Sequence, residues 1–213
     1  SHPSVIPSST SDKLNGLCQE VGGTLFMGLH GAFSVLLSRY SNETDIVVGS
    51  PVANREQAEV VNLIGFFVNT LVLRSDLSDN PSFHDLLNQS KGMLLDAYAH
   101  QQVPFEQLVE TLQPERSLGH SALFQVMLVL QNNEEGSLEL PNLTLSPIEQ
   151  SGNVAKYDLT LSVTESDSGL HLDWEYNTDL FNAETIERLA THFELLFTGL
   201  VNKPNENVFS IAM

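Results

Sequence analysis

The seven histidines of the sequence are the side chains best suited to acid–base or metal chemistry near neutral pH. No two of them are adjacent, and no pair has the i, i+4 spacing of a zinc-binding helix. His30 lies within an apolar helical pattern, where a packed histidine is more common than a catalytic one. His120 follows a glycine in a loop, but no nucleophile lies at a recognisable spacing from it. The histidines therefore predict neither a metal site nor a catalytic base.

The candidate nucleophiles are equally uninformative. Cys18 is the single cysteine, so the chain can form neither an internal disulfide nor a cysteine cluster for zinc. It shares an apolar helix face with Leu17 and has only Lys13 as a nearby cation, which predicts a packed thiol rather than a nucleophile. Ser50 stands in Gly-Ser-Pro rather than in the G-x-S-x-G of a nucleophile elbow, and the glycine loops that bind phosphate are absent. We therefore assign no catalytic residue and no metal ligand.

Polar residues interrupt two strongly apolar runs. Asn69 and Thr70 separate Phe-Phe-Val from Leu-Val-Leu, and Gln125 separates Leu-Phe from a second apolar stretch. A buried amide must be hydrogen-bonded, because leaving it unpaired costs about 1–3 kcal/mol. Two interpretations stay open for these side chains: they anchor a strand or loop, or they line a channel.

Composition restricts the classes of function that remain. The 213 residues suffice for one or two domains with a full core, and 41% of them are apolar. Nine basic against 27 acidic residues give a net charge of −18, which argues against nucleic acid and anionic membrane as partners. No apolar run approaches the ~18 residues of a membrane span, and the polar first segment does not resemble a signal peptide. We expect a globular protein located in the cytoplasm.

Helical elements are predicted from apolar residues at steps of three and four, together with capping signals. Such patterns begin near Ser11, Thr24, Asn80, Pro104 and Asn182. Proline after Asn80 fits a helix start, since the missing N–H is harmless in the first turn.

Strands are predicted where the apolar period changes. A short buried strand covers residues 46–48, and continuous apolar runs at 66–73 and 123–130 predict two central strands. Clean alternation at 157–163 and 170–176 predicts a hairpin with one buried face. The mixture indicates an α/β fold, a two-layer α/β sandwich whose mixed sheet is covered by helices on one face.

The same patterns suggest an organisation along the chain. Residues 1–10 are rich in proline and serine and are interpreted as a linker or extended arm. Residues 11–203 form the folded unit, within which the turn-rich, acidic stretch 132–156 is a long excursion of a kind that is often functional. Residues 204–213 are interpreted as a tail or interdomain linker.

Three long motifs in order then resemble a known family. LIGFFVNTLVLR at 63–74, HQQVPFEQLVE at 100–110 and RSLGHSALFQVMLVLQN at 116–132 strongly resemble the later core motifs of condensation domains of nonribosomal peptide synthetases. DIVVGSPVANR at 45–55, YDLTLSV at 157–163 and LDWEYNTDLF at 172–181 support the resemblance. It covers nearly the whole chain, from about residue 5 to residue 213.

The resemblance implies a fold and a reaction. The family has two lobes, each resembling chloramphenicol acetyltransferase, and forms an amide between aminoacyl or peptidyl thioesters carried on phosphopantetheine arms. Its HHxxxDG motif belongs to the N-terminal lobe, and no His-His pair occurs here. The resemblance thus implies a C-terminal lobe that is inactive alone, with no metal and no covalently bound cofactor. Implied partners are the N-terminal lobe, the donor and acceptor peptidyl carrier proteins, which bring the phosphopantetheine, and a neighbouring adenylation domain.

The resemblance also suggests roles for individual residues. Asn69, Thr70 and Gln125 become candidates for a substrate tunnel or for bridging the lobes. Arg55 becomes a candidate contact for a carrier or its arm phosphate, although pairing with an acidic neighbour is the commoner fate of such an arginine. The excursion at 132–156 is the candidate crossover to the other lobe. An isolated lobe should also expose the apolar surface that meets its partner, and should self-associate.

Two alternatives remain. The chain is a carrier-binding or docking module without chemistry, or it belongs to an epimerisation domain. VPFEQL and FQVMLVLQN argue against the second alternative.

Overall fold

A computed structural model describes residues 1–55, 59, 63–114, 121–131 and 154–213 of the chain. Within these ranges the strands are β1 (His2–Pro7), β2 (Asp45–Val52), β3 (Asn69–Asp76), β4 (Val126–Gln131), β5 (Leu159–Ser166) and β6 (Gly169–Tyr176). The helices are α1 (Ser8–Glu20), α2 (Leu25–Ser41), α3 (Phe83–Ala99), α4 (Phe105–Leu112) and α5 (Ala183–Asn202), followed by a short 3₁₀ helix, Val208–Ser210.

The strands form one mixed sheet in the order β1-β6-β5-β4-β2-β3. Strand β4 runs parallel to β2 and β5, whereas the pairs β2–β3, β5–β6 and β1–β6 are antiparallel. The predicted α/β class with a mixed sheet is confirmed, as is the hairpin.

The core lies between this sheet and the helices on one of its faces. Leu161 and Trp174 alternate with polar residues that face the other way, as a half-buried sheet requires. Trp174 and Phe33 are fully buried and meet edge to face, and the indole N–H of Trp174 donates to Ser4 Oγ at 3.1 Å. The first residues of the chain therefore help to close the core.

Strand β3 differs from its prediction. The apolar run at 66–73 was expected to be a central strand, but β3 begins at Asn69 and occupies the edge of the sheet. Leu71 and Leu73 are buried toward α2 and α3, whereas Phe66 is 94% exposed in the segment before the strand. The first part of this apolar run is thus exposed and the second part forms a strand with buried side chains. Periodicity alone cannot distinguish the two parts.

Both ends of the chain are more ordered than expected. Residues 2–7 form the edge strand β1 on β6 rather than a loose linker, and α1 begins at Ser8. At the other end Val208 and Ile211 are buried, and Arg39 donates to the Ile211 carbonyl at 2.7 Å. Burial of these two apolar side chains fixes the C-terminal segment against the core instead of leaving a free tail.

Helix α3 begins later than predicted. Its N-cap is Ser82, whose hydroxyl accepts from the Asp85 N–H at 3.1 Å. Asn80 instead adopts a left-handed conformation with φ of 47°, and its side-chain oxygen accepts from the Phe209 N–H at 3.2 Å. The asparagine therefore ties the C-terminal segment to the turn before α3.

The excursion predicted at 132–156 falls mostly outside the described residues, which resume at Val154. Among the described residues, no single helix is long and apolar enough to cross a membrane. Helices α1 and α2 meet the length and composition test only as a pair, bent by 108°.

Candidate functional site

A cavity of about 720 Å³ opens beside the start of β3, and we call it the strand-edge cavity. Its lining includes all three of the amide and hydroxyl candidates from the sequence: Asn69, Thr70 and Gln125. Thr70 pairs with Pro51 and alternates with buried Leu71, so its side chain faces away from α2 and α3. Thr70 therefore contributes to the cavity from the side of the sheet opposite the helix-packed core.

Asn69 satisfies its whole side-chain amide in the wall of this cavity. Its Nδ2 donates to the carbonyls of Gln101 and Val103, each at 2.7 Å. Its Oδ1 accepts from the Phe105 N–H at 3.2 Å. One side chain thus pins the connection between α3 and α4, and this supports the loop-anchoring interpretation while leaving the residue on the cavity wall.

The anchored connection leads into α4, which contributes Phe105 and Glu106 to the cavity lining. Pro104 is the N-cap, and its fixed backbone geometry suits a helix start. No residue of α4 is fully buried, so its position depends on the connection before it. The helix predicted to begin near Pro104 is confirmed.

Aromatic rings in edge-to-face and tilted contact form the floor of the cavity. Phe124 is 1% exposed and lies directly over Gly49 of β2, where any side chain would collide with its ring. Its centroid is 5.7 Å from that of Phe105 and 5.3 Å from that of Tyr157, both of which line the cavity. Only glycine at position 49 leaves room for the Phe124 ring, so Gly49 allows the aromatic cluster to pack against β2.

Gln125 is exposed and lies next to this aromatic cluster. Its Nε2 donates to the Ser121 carbonyl at 3.1 Å, and its backbone carbonyl accepts from the Asp158 N–H at the same distance. The residue thus joins the entry of β4 to the entry of β5 while its side chain stays at the cavity.

Sequence reasoning missed three charged residues of the lining: Glu106, Lys156 and Asp158. Each is ordinary in its local pattern, and only the fold brings them together from α4 and from the segment before β5. The Lys156 ammonium lies over the Tyr157 ring, 5.4 Å from its centroid. The one sequence feature that could have drawn attention to Lys156 was the small number of basic residues in an acidic chain.

Arg55 does not line the strand-edge cavity but supports its rim. Its guanidinium lies 4.3 Å from the Phe67 centroid, and Nη1 donates to the Leu63 carbonyl at 2.8 Å. We call residues 63–68 the apolar rim: Phe66 and Val68 line the cavity, Ile64 is fully exposed and Val68 is half exposed. Exposed apolar side chains are therefore present, and their contact with a second lobe stays a prediction.

Arg74, another described cation, does not line the cavity. Arg74 forms a bidentate ion pair with Asp45 at 2.8 Å, and the hydrogen bond from Arg74 lowers the pKa of the Asp45 carboxyl. Arg116 and His120 lie outside the described residues. Within the described ranges no three histidine, cysteine, aspartate or glutamate side chains are grouped to hold a metal ion.

Two buried titratable groups are not part of the cavity lining. Burial lowers the pKa of His30 to about 4, and neither ring nitrogen has a hydrogen-bond partner. Burial raises the pKa of the Cys18 thiol to about 11, which agrees with the prediction of a packed, unreactive side chain.

Solved structures share this arrangement of sheet and helices. A four-domain nonribosomal peptide synthetase, holo-AB3403, superposes with a TM-score of 0.88 and 26% identity over 98% of this chain and 17% of its own. The X-domain from teicoplanin biosynthesis superposes with a TM-score of 0.90 over 100% of this chain and 49% of its own, and at 24% identity it speaks for the fold alone. The class is thus that of chloramphenicol acetyltransferase-like α/β folds.

Sequence comparisons define the family. The condensation-domain family model matches residues 4–213. A linear gramicidin synthase polypeptide from Brevibacillus parabrevis is 48% identical over 214 aligned residues, covering 100% of this chain. The chain spans only 3% of that relative's length. The chain belongs to the condensation-domain family of nonribosomal peptide synthetases.

Proposed function

We propose that this chain is the C-terminal lobe of a condensation domain, and that it forms part of the wall of a substrate tunnel. The supporting observation is the convergence of Asn69, Thr70 and Gln125 on one open cavity bordered by an exposed apolar rim. A cavity with polar lining on one side and unpartnered apolar surface beside it suits a tunnel completed by a second lobe.

In the proposed reaction the acceptor amine attacks the donor thioester. Its nitrogen bonds to the carbonyl carbon, the C–S bond breaks, and the proton lost by the amine ends on the departing thiol. A base or positioning group must lie within hydrogen-bond reach of that amine. The sequence has no HHxxxDG motif, so we assign this group to the N-terminal lobe and expect the chain to be inactive alone.

The contribution of this chain is to bind and orient the arms. Phe105 and Tyr157 give the strand-edge cavity an apolar wall, while Gln125 and Thr70 offer hydrogen-bonding groups for the amides of a pantetheine. The proposal includes donor and acceptor carrier proteins as partners, an adjoining adenylation domain and a cytoplasmic location. Arg55 remains a proposed carrier contact, acting through the apolar rim that it supports.

Reconstitution tests this proposal. The chain is mixed with its N-terminal lobe and two loaded carrier proteins, and the dipeptidyl thioester is sought by intact mass spectrometry. We expect product only in the complete mixture. Carrier binding without product in every combination would instead support the alternative of a docking module without chemistry.

A further inference from the structure

Lys156 is the one basic residue among the described residues that line the strand-edge cavity. The other described cations are mostly engaged elsewhere: Arg74 pairs with Asp45, Lys203 with Glu206, and Lys91 donates to the Val21 carbonyl at 2.7 Å. Lys156 is exposed and has no ion-pair partner among the described residues. Its ammonium is therefore available at the cavity.

The backbone beneath Lys156 is held from two sides. The Asp158 N–H donates to the Gln125 carbonyl at 3.1 Å, and the Asp158 carbonyl accepts from the Asn177 N–H at 3.0 Å. The ring of Tyr157 leans on Phe124 and lies under the ammonium. This cation–π contact favours one region of space for the charge without neutralising it.

We propose that Lys156 binds the phosphate of a phosphopantetheine arm that enters the strand-edge cavity; this inference rests on the proposed function. A net charge of −18 repels a phosphate over most of the chain, so a local cation decides where it can approach. A lysine ammonium offers three donors and a compact charge, which suit a phosphate. Glu106 and Asp158 line the same cavity and repel a phosphate, so Lys156 is the one charged side chain of the described lining that attracts it.

The test compares two free ligands that differ only in the phosphate. Phosphopantetheine and pantetheine are titrated into the ¹⁵N-labelled chain, and their affinities are measured from amide shifts of residues lining the cavity. We expect phosphopantetheine to bind about two- to fivefold more tightly, the range of an exposed charge pair. We expect the difference to shrink as salt is raised.

Two matched variants test whether Lys156 causes the preference for phosphopantetheine over pantetheine. Lys156→Gln should bind both ligands with the affinity that the wild-type chain has for pantetheine. Lys203→Gln, which removes an exposed lysine paired with Glu206 outside the cavity lining, should keep the wild-type preference for phosphopantetheine.

The outcomes separate this inference from the proposed function. Equal affinities for the two ligands in the wild-type chain, or a preference that survives Lys156→Gln, would overturn the role of Lys156. In both cases binding of pantetheine at the cavity would leave the proposed function standing. If neither ligand shifts resonances of the cavity lining, both proposals fail.

Discussion

Asn69 gives the clearest link between one side chain and the shape of the strand-edge cavity. Its amide donates twice and accepts once, all to backbone groups of the connection between α3 and α4. That connection sets the position of Phe105, which forms part of the aromatic floor. The shape of the cavity therefore depends on the two N–H donors and the one oxygen acceptor of the Asn69 side chain.

Replacing Asn69 with aspartate tests this dependence. A carboxylate keeps the shape of the side chain but turns two donors into an acceptor facing the carbonyls of Gln101 and Val103. We expect Asn69→Asp to lower the free energy of unfolding by about 1–3 kcal/mol in urea titrations. Thr70→Val is the control in the same cavity and should stay within about 0.5 kcal/mol of wild type. An Asn69→Asp chain as stable as wild type would contradict the anchoring role.

His30 makes a second prediction at this scale, on pH dependence. Burial lowers its pKa from 6.5 to about 4. Between these values the unfolded chain takes up a proton on this histidine and the folded chain does not, so stability falls as the pH falls. The free energy of unfolding is therefore roughly 3 kcal/mol lower at pH 4 than above pH 6.5.

Denaturation at several pH values measures this effect. His30→Leu should show a shallower loss of stability between pH 6.5 and pH 4 than the wild-type chain. His171→Gln, at an exposed position, should retain the wild-type slope. If the free energy of unfolding falls equally with pH in His30→Leu and wild type, the buried histidine does not cause the loss of stability in acid.

Glycines of the helices show how the elements pack. Gly28 of α2 faces α1 so closely that an added Cβ would lie 2.7 Å from both Cys18 Sγ and Leu14 Cδ1. Gly92 of α3 has no atom within 4 Å of the same position. The first glycine allows two helices to approach, whereas the second only weakens its own helix.

The two alanine substitutions should therefore have opposite signs. Gly92→Ala should raise the free energy of unfolding by up to about 1 kcal/mol, because alanine is the better helix former. Gly28→Ala should lower it by about 1–3 kcal/mol through overpacking against α1. Both values come from the same urea titrations, and a shared sign would contradict this account of helix packing.

At the element scale the sequence predicted most of the architecture. The hairpin β5–β6 was readable because one of its faces is buried, so alternation reveals the core. The run at 66–73 was not, since exposed Phe66 and buried Leu73 look alike in a string of apolar letters. The convergence of Glu106, Lys156 and Tyr157 was also hidden, because it depends on contacts between segments far apart in the chain.

The whole molecule presents exposed apolar side chains on the rim of the strand-edge cavity. Ile64 is fully exposed, and Phe66, which lines the open cavity, is 94% exposed. Exposed surface of this kind favours association. We therefore predict concentration-dependent self-association of the isolated chain in light scattering.

Rim variants locate this association. Ile64→Ser combined with Phe66→Ser should reduce the apparent mass toward that of a monomer. Leu195→Ser, which removes a half-exposed leucine from α5, should leave it unchanged. A wild-type chain that stays monomeric at high concentration would argue against a rim built to meet a second lobe.

The most direct test of the tunnel assignment is a crosslinking measurement with single introduced cysteines. Burial raises the pKa of the native Cys18 thiol to about 11, so this thiol gives little background. Thr70→Cys places a thiol in the strand-edge cavity, and Thr191→Cys places one on the exposed surface of α5. A carrier protein bearing a chloroacetyl pantetheine arm forms a C–S bond to a thiol within reach and releases chloride.

With the N-terminal lobe present, we predict a carrier adduct of Thr70→Cys by intact mass, with little adduct of Thr191→Cys. Equal labelling at both positions, or labelling of Thr191→Cys alone, would contradict the claim that the strand-edge cavity is part of the substrate tunnel.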